Sequence, residues 1–230
     1  VILAEARTIG EGETAHTTAH LASALDDGFV HLQKLFGLEK AKLAVSSQQE
    51  AIKTIEHIIQ VEKIDCDFSW VDGYLYSHDQ TTDNELMDEY QAALELGYNV
   101  KPCSMPIKTL EKKKAICFSE QAQFHPLKYI QGLANAFTRA GGQIFTDTYI
   151  VDVKEKNTEV FITSKDGHTI KAKYVVVATN TPFIDRVTMH TKQAAYRSYV
   201  VAYQLQDKNI PQALYWDMQE PYHYVRLYQD

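Results

Sequence analysis

Long apolar runs are missing from these 230 residues. None approaches the roughly 18 consecutive apolar positions that a membrane-spanning helix needs. Cysteine is scarce and scattered: Cys66, Cys103 and Cys117 are the full complement. An odd number without C-x-x-C spacing argues against a disulfide framework or a metal knuckle, and for reduced thiols in a cytoplasmic protein. Positive charge is in deficit, with 23 Lys and Arg against 30 Asp and Glu and a formal charge of −7. Nucleic acid and an anionic membrane are therefore not expected as partners. Lys112-Lys113-Lys114 is the local exception and reads as a solvated loop. No signal peptide, internal repeat or low-complexity segment is found. What is present is ordinary globular composition, 45% hydrophobic and 23% charged, enough for one large or two small domains.

Hydrophobic spacing predicts a helix from about Thr14 to Leu25 and a short one over Phe29–Phe36. A long helix follows, whose stripe is Leu38, Ala41, Val45, Ile52, Ile55 and Ile59. Phe68–Tyr76 is aromatic, β-like and split by Gly73. Thr82-x-x-Glu85 reads as a capping box opening a helix with Leu86, Tyr90 and Leu94, which Gly97 ends. Pro102 and Pro106 mark a connector, and Ala115–Phe118 is a short strand. Pro126 suits a helix start, with Leu127, Ile130, Leu133, Ala134 and Phe137 as apolar face and Gly141-Gly142 as its end. Four short strands are then expected at Gln143–Phe145, Ile150–Val153, Val160–Thr163 and Thr169–Tyr174, with Asp166-Gly167 as a hairpin turn. Tyr174–Ala178 is continuously apolar, as in a strand buried on both faces. The loop Thr179-Asn180-Thr181-Pro182 follows it. In the tail, Tyr199, Val201, Tyr203 and Leu205 alternate, and strands are expected near Leu214–Trp216 and Tyr224–Tyr228.

His16 and His20 stand four apart in E-T-A-H-T-T-A-H, which on a helix would put both on one face. A zinc site needs a third ligand, and Thr17 stands where a zincin carries Glu, so no metal is assigned. The alternative is two polar residues beside a cofactor. His125-Pro126 reads as a helix N-terminal neighbour. The aromatic residues Trp70, Tyr74, Tyr76, Tyr199, Tyr203, Trp216, Tyr222, Tyr224 and Tyr228 read as core or sheet face before substrate pocket. Arg197 and Arg226 read as surface ion pairs before carboxylate clamps.

Three separated segments carry a family resemblance: Val1–His20, the run F-H-P-L-K-Y-I-Q-G-L-A-N-A-F-T-R-A-G-G-Q-I-F-T-D-T-Y-I-V-D-V, and D-G-H-T-I-K-A-K-Y-V-V-V-A-T-N. In that order they resemble FAD-dependent oxidoreductases of the D-amino-acid-oxidase and glycine-oxidase type. The resemblance implies an α/β fold: an FAD/NAD(P)-binding Rossmann-like domain, incomplete here, plus an α+β substrate domain built on an antiparallel sheet. It divides the chain into a cofactor part (1–80 and 120–185) and a substrate or cap part (81–119 and 186–230). FAD is the implied cofactor and a small amine or amino-acid-like molecule the implied substrate. Glu5 would bind the ribose, next to Ala6. Thr14, Thr18, Ala19 and His20 would form the flavin cradle at a helix start, Ile150 would touch the adenine, and Thr179 would line the ribityl side. Thr14–Ala19 is similar to a T-x-H-x-x-G segment in dimethylglycine-dehydrogenase-like relatives, which implies covalent flavin attachment at His16, although Ala19 replaces the Gly. No catalytic residue is assigned.

The wording around E-T-A-H-T-T-A-H-L most resembles a subgroup fused to a downstream Rieske domain, so a [2Fe-2S] centre is expected only outside this chain. The family's G-x-G-x-x-G loop is not found upstream of Glu5, nor its closing Gly-Asp segment downstream. The chain is therefore expected to be an internal piece, inactive by itself. Its first strand would carry an exposed edge that homo-oligomerisation can cover, and 29–147 and the tail from Tyr196 would be better ordered than 1–14. The competing reading is a non-catalytic scaffold or assembly module without cofactor.

Overall fold

The structure, a computed structural model, describes residues 1–181, 183, 184, 194, 196–205 and 209–228. In chain order its elements are β1 (Ile2–Ala4), β2 (His20–Leu21), α1 (Phe29–Phe36), α2 (Leu38–Glu62), β3 (Ser69–Tyr76), α3 (Gln80–Glu95), β4 (Val100–Ser104) and β5 (Lys114–Gln123). Then come α4 (Pro126–Arg139), β6 (Gln143–Phe145), β7 (Ile150–Lys156), β8 (Glu159–Ser164), β9 (Thr169–Ala172), β10 (Ala213–Asp217) and β11 (Tyr224–Arg226). Single 3-10 turns lie at Glu13–His16 and Lys108–Leu110. The chain forms two compact units, one from Val1–Gly12 with Ala134–Gln206, the other from Glu13–Leu133 with Asp207–Asp230.

The larger unit is built on a six-stranded sheet in the order β11-β10-β3-β5-β2, with β4 also on β5. β10 runs parallel to β3 and the remaining pairs are antiparallel. Alternation sends Ile116, Phe118 and Trp216 to one face and Tyr74, Cys117 and Tyr215 to the other. The first face packs under α1, α2 and α3 around Phe29, Val45, Leu86 and Tyr98. Phe29, Tyr98 and Phe118 meet with ring centroids 5.0 to 5.8 Å apart. The second face stacks Tyr74 on Tyr215 at 5.4 Å. α2 is long enough to serve two cores: Ala41 and Val45 enter the first, while Ile55, Ile58 and Ile59 pack on Ile64, Phe124 and Tyr129. The N-terminus of α1 lacks a local side-chain cap. The Glu89 carboxylate from α3 supplies it by accepting the N–H groups of Phe29 and Val30.

In the smaller unit β1 and β6 pair in parallel, Ile2 opposite Gln143 and Ala4 opposite Phe145. β7, β8 and β9 form an antiparallel meander, whereas β6, expected from the sequence as its first strand, pairs with β1 instead. Gly167 turns the β8–β9 hairpin at φ +85°.

Several expectations are corrected. Residues 14–25 are not a helix. Thr17 Oγ1 accepts the Ala19 N–H at 3.1 Å, taking an amide that a helix would use, and Ala19 adopts φ 60°. Asp79, not Thr82, is the N-cap of α3; its carboxylate accepts from Thr82 N at 3.0 Å, and Thr82 Oγ1 accepts the Asp79 N–H in return. Pro102 lies inside β4, where an edge strand has no need of its missing donor. Tyr174–Ala178 is not a strand: Tyr174 and Val176 are each 88% exposed, and among the described residues no strand lies beside it to satisfy its backbone. Residues 196–205 likewise carry no helix or strand, and Tyr199 is 91% exposed, whereas 2–4 form β1. The compact units group 13–80 and 120–133 with 81–119, because β3 shares one sheet with β4 and β5. The boundary at 185/186 and Pro182 lie outside the described residues.

Gly73 lies beneath the Trp216 ring: a Cβ there would sit 2.9 Å from two ring carbons and 3.0 Å from Gln121 Cγ. Gly73→Ala is expected to cost about 1–3 kcal/mol of stability. Urea unfolding would show it as a lower midpoint with an unchanged slope.

Candidate functional site

The nine residues implied by the resemblance fall into two sets, one in each unit. In the smaller unit Glu5 follows β1. Its N–H donates to Phe145 O at 2.9 Å, and its carbonyl accepts from Thr148 N at 2.8 Å. The end of β1 is thereby tied to the turn at 146–149, in which Asp147 holds φ 50°. Ile150 opens β7 directly after that turn, so Glu5, Ala6 and Ile150 are brought into one neighbourhood. The half-buried Glu5 side chain curls back, with Oε1 accepting the Arg7 N–H at 3.0 Å. Its Oε2 carries no hydrogen bond among the described residues. Thr179 is exposed, and its hydroxyl donates to Thr181 O at 3.0 Å.

In the larger unit Thr14 and His16 are exposed within the four-residue 3-10 turn. His20 lies in β2 opposite Gln123. His16 and His20 therefore do not share a helix face, and the geometric basis for a two-histidine metal site is gone. Among the described residues no group of three or more His, Cys, Asp and Glu side chains is placed to hold a metal. The helix start imagined for the cradle is also absent, and the Ala19 N–H is already bonded to Thr17.

What holds this segment comes from the far end of the chain. Arg226 on β11 donates from Nη1 to Thr18 O at 2.9 Å, and the Tyr224 ring meets His20 edge-on at 5.7 Å. Arg226 is half-buried, with burial lowering its guanidinium from the usual value. It is not the surface ion pair expected from the sequence. His20 Nε2, Gln123 Oε1 and Arg226 Nε are all buried without a hydrogen-bond partner among the described residues. Gln123 carried no sequence signal, because only the β2–β5 register brings it opposite His20. His125 has the structural role expected, its Nδ1 and carbonyl serving the first turn of α4.

These features test whether the residues suit a dinucleotide cofactor. A free carboxylate oxygen at the end of a parallel strand suits a ribose diol, which needs an acceptor. Buried polar atoms without partners suit a polar ligand, because such atoms are costly to leave unpaired. The residues fit.

Burial, and secondarily the Arg226 guanidinium, push the His20 imidazole down to about 4, against a weaker opposing hydrogen bond with the Val225 backbone. The unfolded chain protonates this group near its ordinary value, and the folded chain does so only well below it. Stability is therefore lost as pH falls through the window from about 6.5 to about 4. Between about pH 7.5 and about pH 5, the His20 contribution to this loss is about 2 kcal/mol. Urea unfolding of wild type and His20→Gln at both pH values measures it, and parallel pH dependences in the two proteins would refute the assignment.

A family model described as "FAD dependent oxidoreductase", DAO, matches residues 1–230. The chain is 31% identical over 225 residues to YhfW of Bacillus subtilis strain 168, a protein named for a Rieske 2Fe-2S iron–sulfur centre, covering 96% of this chain and 43% of that one. It is 23% identical to the gamma-glutamylputrescine oxidoreductase of Escherichia coli K12, over 81% of this chain and 45% of that one. Among solved structures, glycine oxidase from Geobacillus kaustophilus superposes with TM-score 0.61 at 18% identity, covering 78% of this chain and 48% of that one. L-proline dehydrogenase from P. horikoshii gives 0.59 at 16%, over 78% and 46%. The chain spans somewhat under half the length of these relatives, and the structural likeness supports the mixed helix-and-sheet fold. With the family model matching its whole length, the chain belongs to the DAO family of FAD-dependent oxidoreductases.

Proposed function

We propose that the intact protein carries out FAD-dependent oxidation of an amine or amino-acid-like small molecule at its C–N bond. The observation that carries this reading is Glu5, a carboxylate with one oxygen anchored and the other open at the end of β1. When bound, FAD would supply the hydride acceptor, and the protein would supply orientation and exclusion of water. Glu5 would hold the ribose through Oε2, with Ala6 and Ile150 beside it and Thr179 in the same unit. Thr14, His16, Thr18, Ala19 and His20 are the positions of the larger unit assigned to the cofactor. Of these, His20 Nε2 is the atom with open hydrogen-bonding capacity, and Arg226 acts as a positioning residue through Thr18.

The cofactor role is assigned to 1–80 and 120–185, and the substrate or cap role to 81–119 and 186–230. The likeness to a relative named for a Rieske centre supports an iron–sulfur electron acceptor in a domain outside this chain, and a cytoplasmic location is a further proposal that rests on the scattered cysteines. The edge of β1 that no strand covers among the described residues supports self-association as a further proposal.

The test is an FAD titration of this chain and of the complete natural protein, followed by absorbance and flavin fluorescence. Saturable binding is expected, weakened about tenfold by Glu5→Ala, the loss of roughly 1.4 kcal/mol. No binding by the complete protein, or an affinity untouched by Glu5→Ala, would overturn the reading. After acid precipitation the yellow colour is expected in the supernatant. Colour kept in the pellet and lost in His16→Ala would instead establish a covalent link at His16.

A further inference from the structure

Two of the three cysteines meet on the face of the sheet turned away from the helices. The β4–β5 register sets Lys101 opposite Cys117 and Cys103 opposite Ala115. Residues two apart on a strand share a face, so Cys103 and Cys117 are diagonal neighbours across one strand boundary. Tyr74 stands opposite Cys117 on the other side of β5. Cys103 and Tyr74 thus flank Cys117 from the two strands on either side of β5. A hydrogen bond with Cys103 draws the Cys117 thiol below its ordinary value, while that same bond pushes Cys103 up. Cys117 is 2% exposed and Cys103 is half-buried, so a small reagent reaches the pair from the Cys103 side.

The strand carrying Cys103 is the one best able to close the remaining distance. Diagonal neighbours stand farther apart than a disulfide allows, and bridging them needs backbone movement. β4 hydrogen-bonds to β5 alone in the sheet, and Pro102 at its centre has no N–H to donate. The third cysteine is a built-in control. Cys66 lies in a separate cluster with Phe124 and Tyr129, and burial pushes its thiol up.

We propose that Cys103 and Cys117 are a redox-active pair that a peroxide converts into an intramolecular disulfide, pinning edge strand β4 to β5. The Cys117 thiol gives up its proton, its thiolate attacks one peroxide oxygen, the O–O bond breaks, and the hydroxide released takes up that proton as water, leaving Cys117 as the sulfenic acid. Cys103 then attacks that sulfur, the S–S bond forms and the S–O bond breaks. The departing hydroxide takes the Cys103 proton and leaves as water. Two electrons pass from the two sulfurs to one peroxide, which ends as two waters.

The test exposes the full chain to hydrogen peroxide, then counts thiols after denaturation and maps peptides with a protease that separates Cys66 from Cys103. Free thiols are expected to fall from three to one, with a mass loss of about 2 Da and a 103–117 cross-link. The pair should be lost at least about tenfold faster than Cys66. In Cys103→Ser, Cys117 should stop at the sulfenic acid and be trapped by dimedone. If that variant does not fold, the wild-type map decides alone. Three surviving thiols, a bridge to Cys66 or between chains, or independent over-oxidation of the two sulfurs would each overturn the proposal.

Discussion

Ten residues of β5, Lys114–Gln123, hydrogen-bond three different strands, and the larger unit depends on how they do so. The first half of β5 pairs with β4 and the last two residues with β2, while β3 runs along the other side of both. This change of partner requires a break in the ladder. The register shifts between Val71 and Gly73, and Glu120 takes φ 59° opposite the shift, which gives the extra residue and local bend of a β-bulge. Gln121, immediately after the bulge, is fully buried. Its Oε1 accepts the Ser23 N–H at 2.7 Å and its Nε2 donates to Ser119 O at 2.9 Å. One side chain thus ties the loop after β2 to the bent strand, and Gly73 leaves room for Trp216 to cross above it.

The bend also gives β2 its place, and with it the positions assigned to the cofactor. His20 is a sheet residue because Gln123 offers its backbone, and Thr18 is held because Arg226 reaches it from β11. The segment 17–20 is shaped by residues about a hundred and two hundred positions away. Few local interactions would keep it in place, since the 3-10 turn before it buries none of its residues. A segment fixed by distant strands can take an unusual backbone, such as Ala19 at φ 60°, because its surroundings rather than its propensity decide the conformation. Glu5 follows the same logic in the smaller unit, with Phe145 and Thr148 setting the direction in which its chain leaves β1.

Elements with a strong period or clear punctuation were legible from the residues. The stripe of α2, Pro126 at the start of α4, Gly97 after α3 and Asp166-Gly167 between β8 and β9 all act within a few residues, where local sterics and side-chain burial suffice. The errors share one cause, a partner that lies outside the local window. Thr14–Leu25 has an acceptable helical pattern, but the Thr17 hydroxyl and the β5 edge offer its backbone better bonds. Tyr174–Ala178 has the composition of a buried strand, yet composition does not provide a neighbour. Glu5 and Ile150 were legible as an acid after a strand and a strand start. Gln123 was not, and Arg226 was misjudged as a surface charge.

By itself, the sequence determined α1 to α4, the strands β6 to β9 and the family, because each is written in residues close together or in segments that keep their order. Tertiary structure alone decided that His16 and His20 part company, that Arg226 and Gln123 join the His20 neighbourhood, and that Cys103 faces Cys117. Each of those outcomes turns on strand register, and register is set by which strand lies alongside. A shift of one residue would send every one of these side chains to the opposite face.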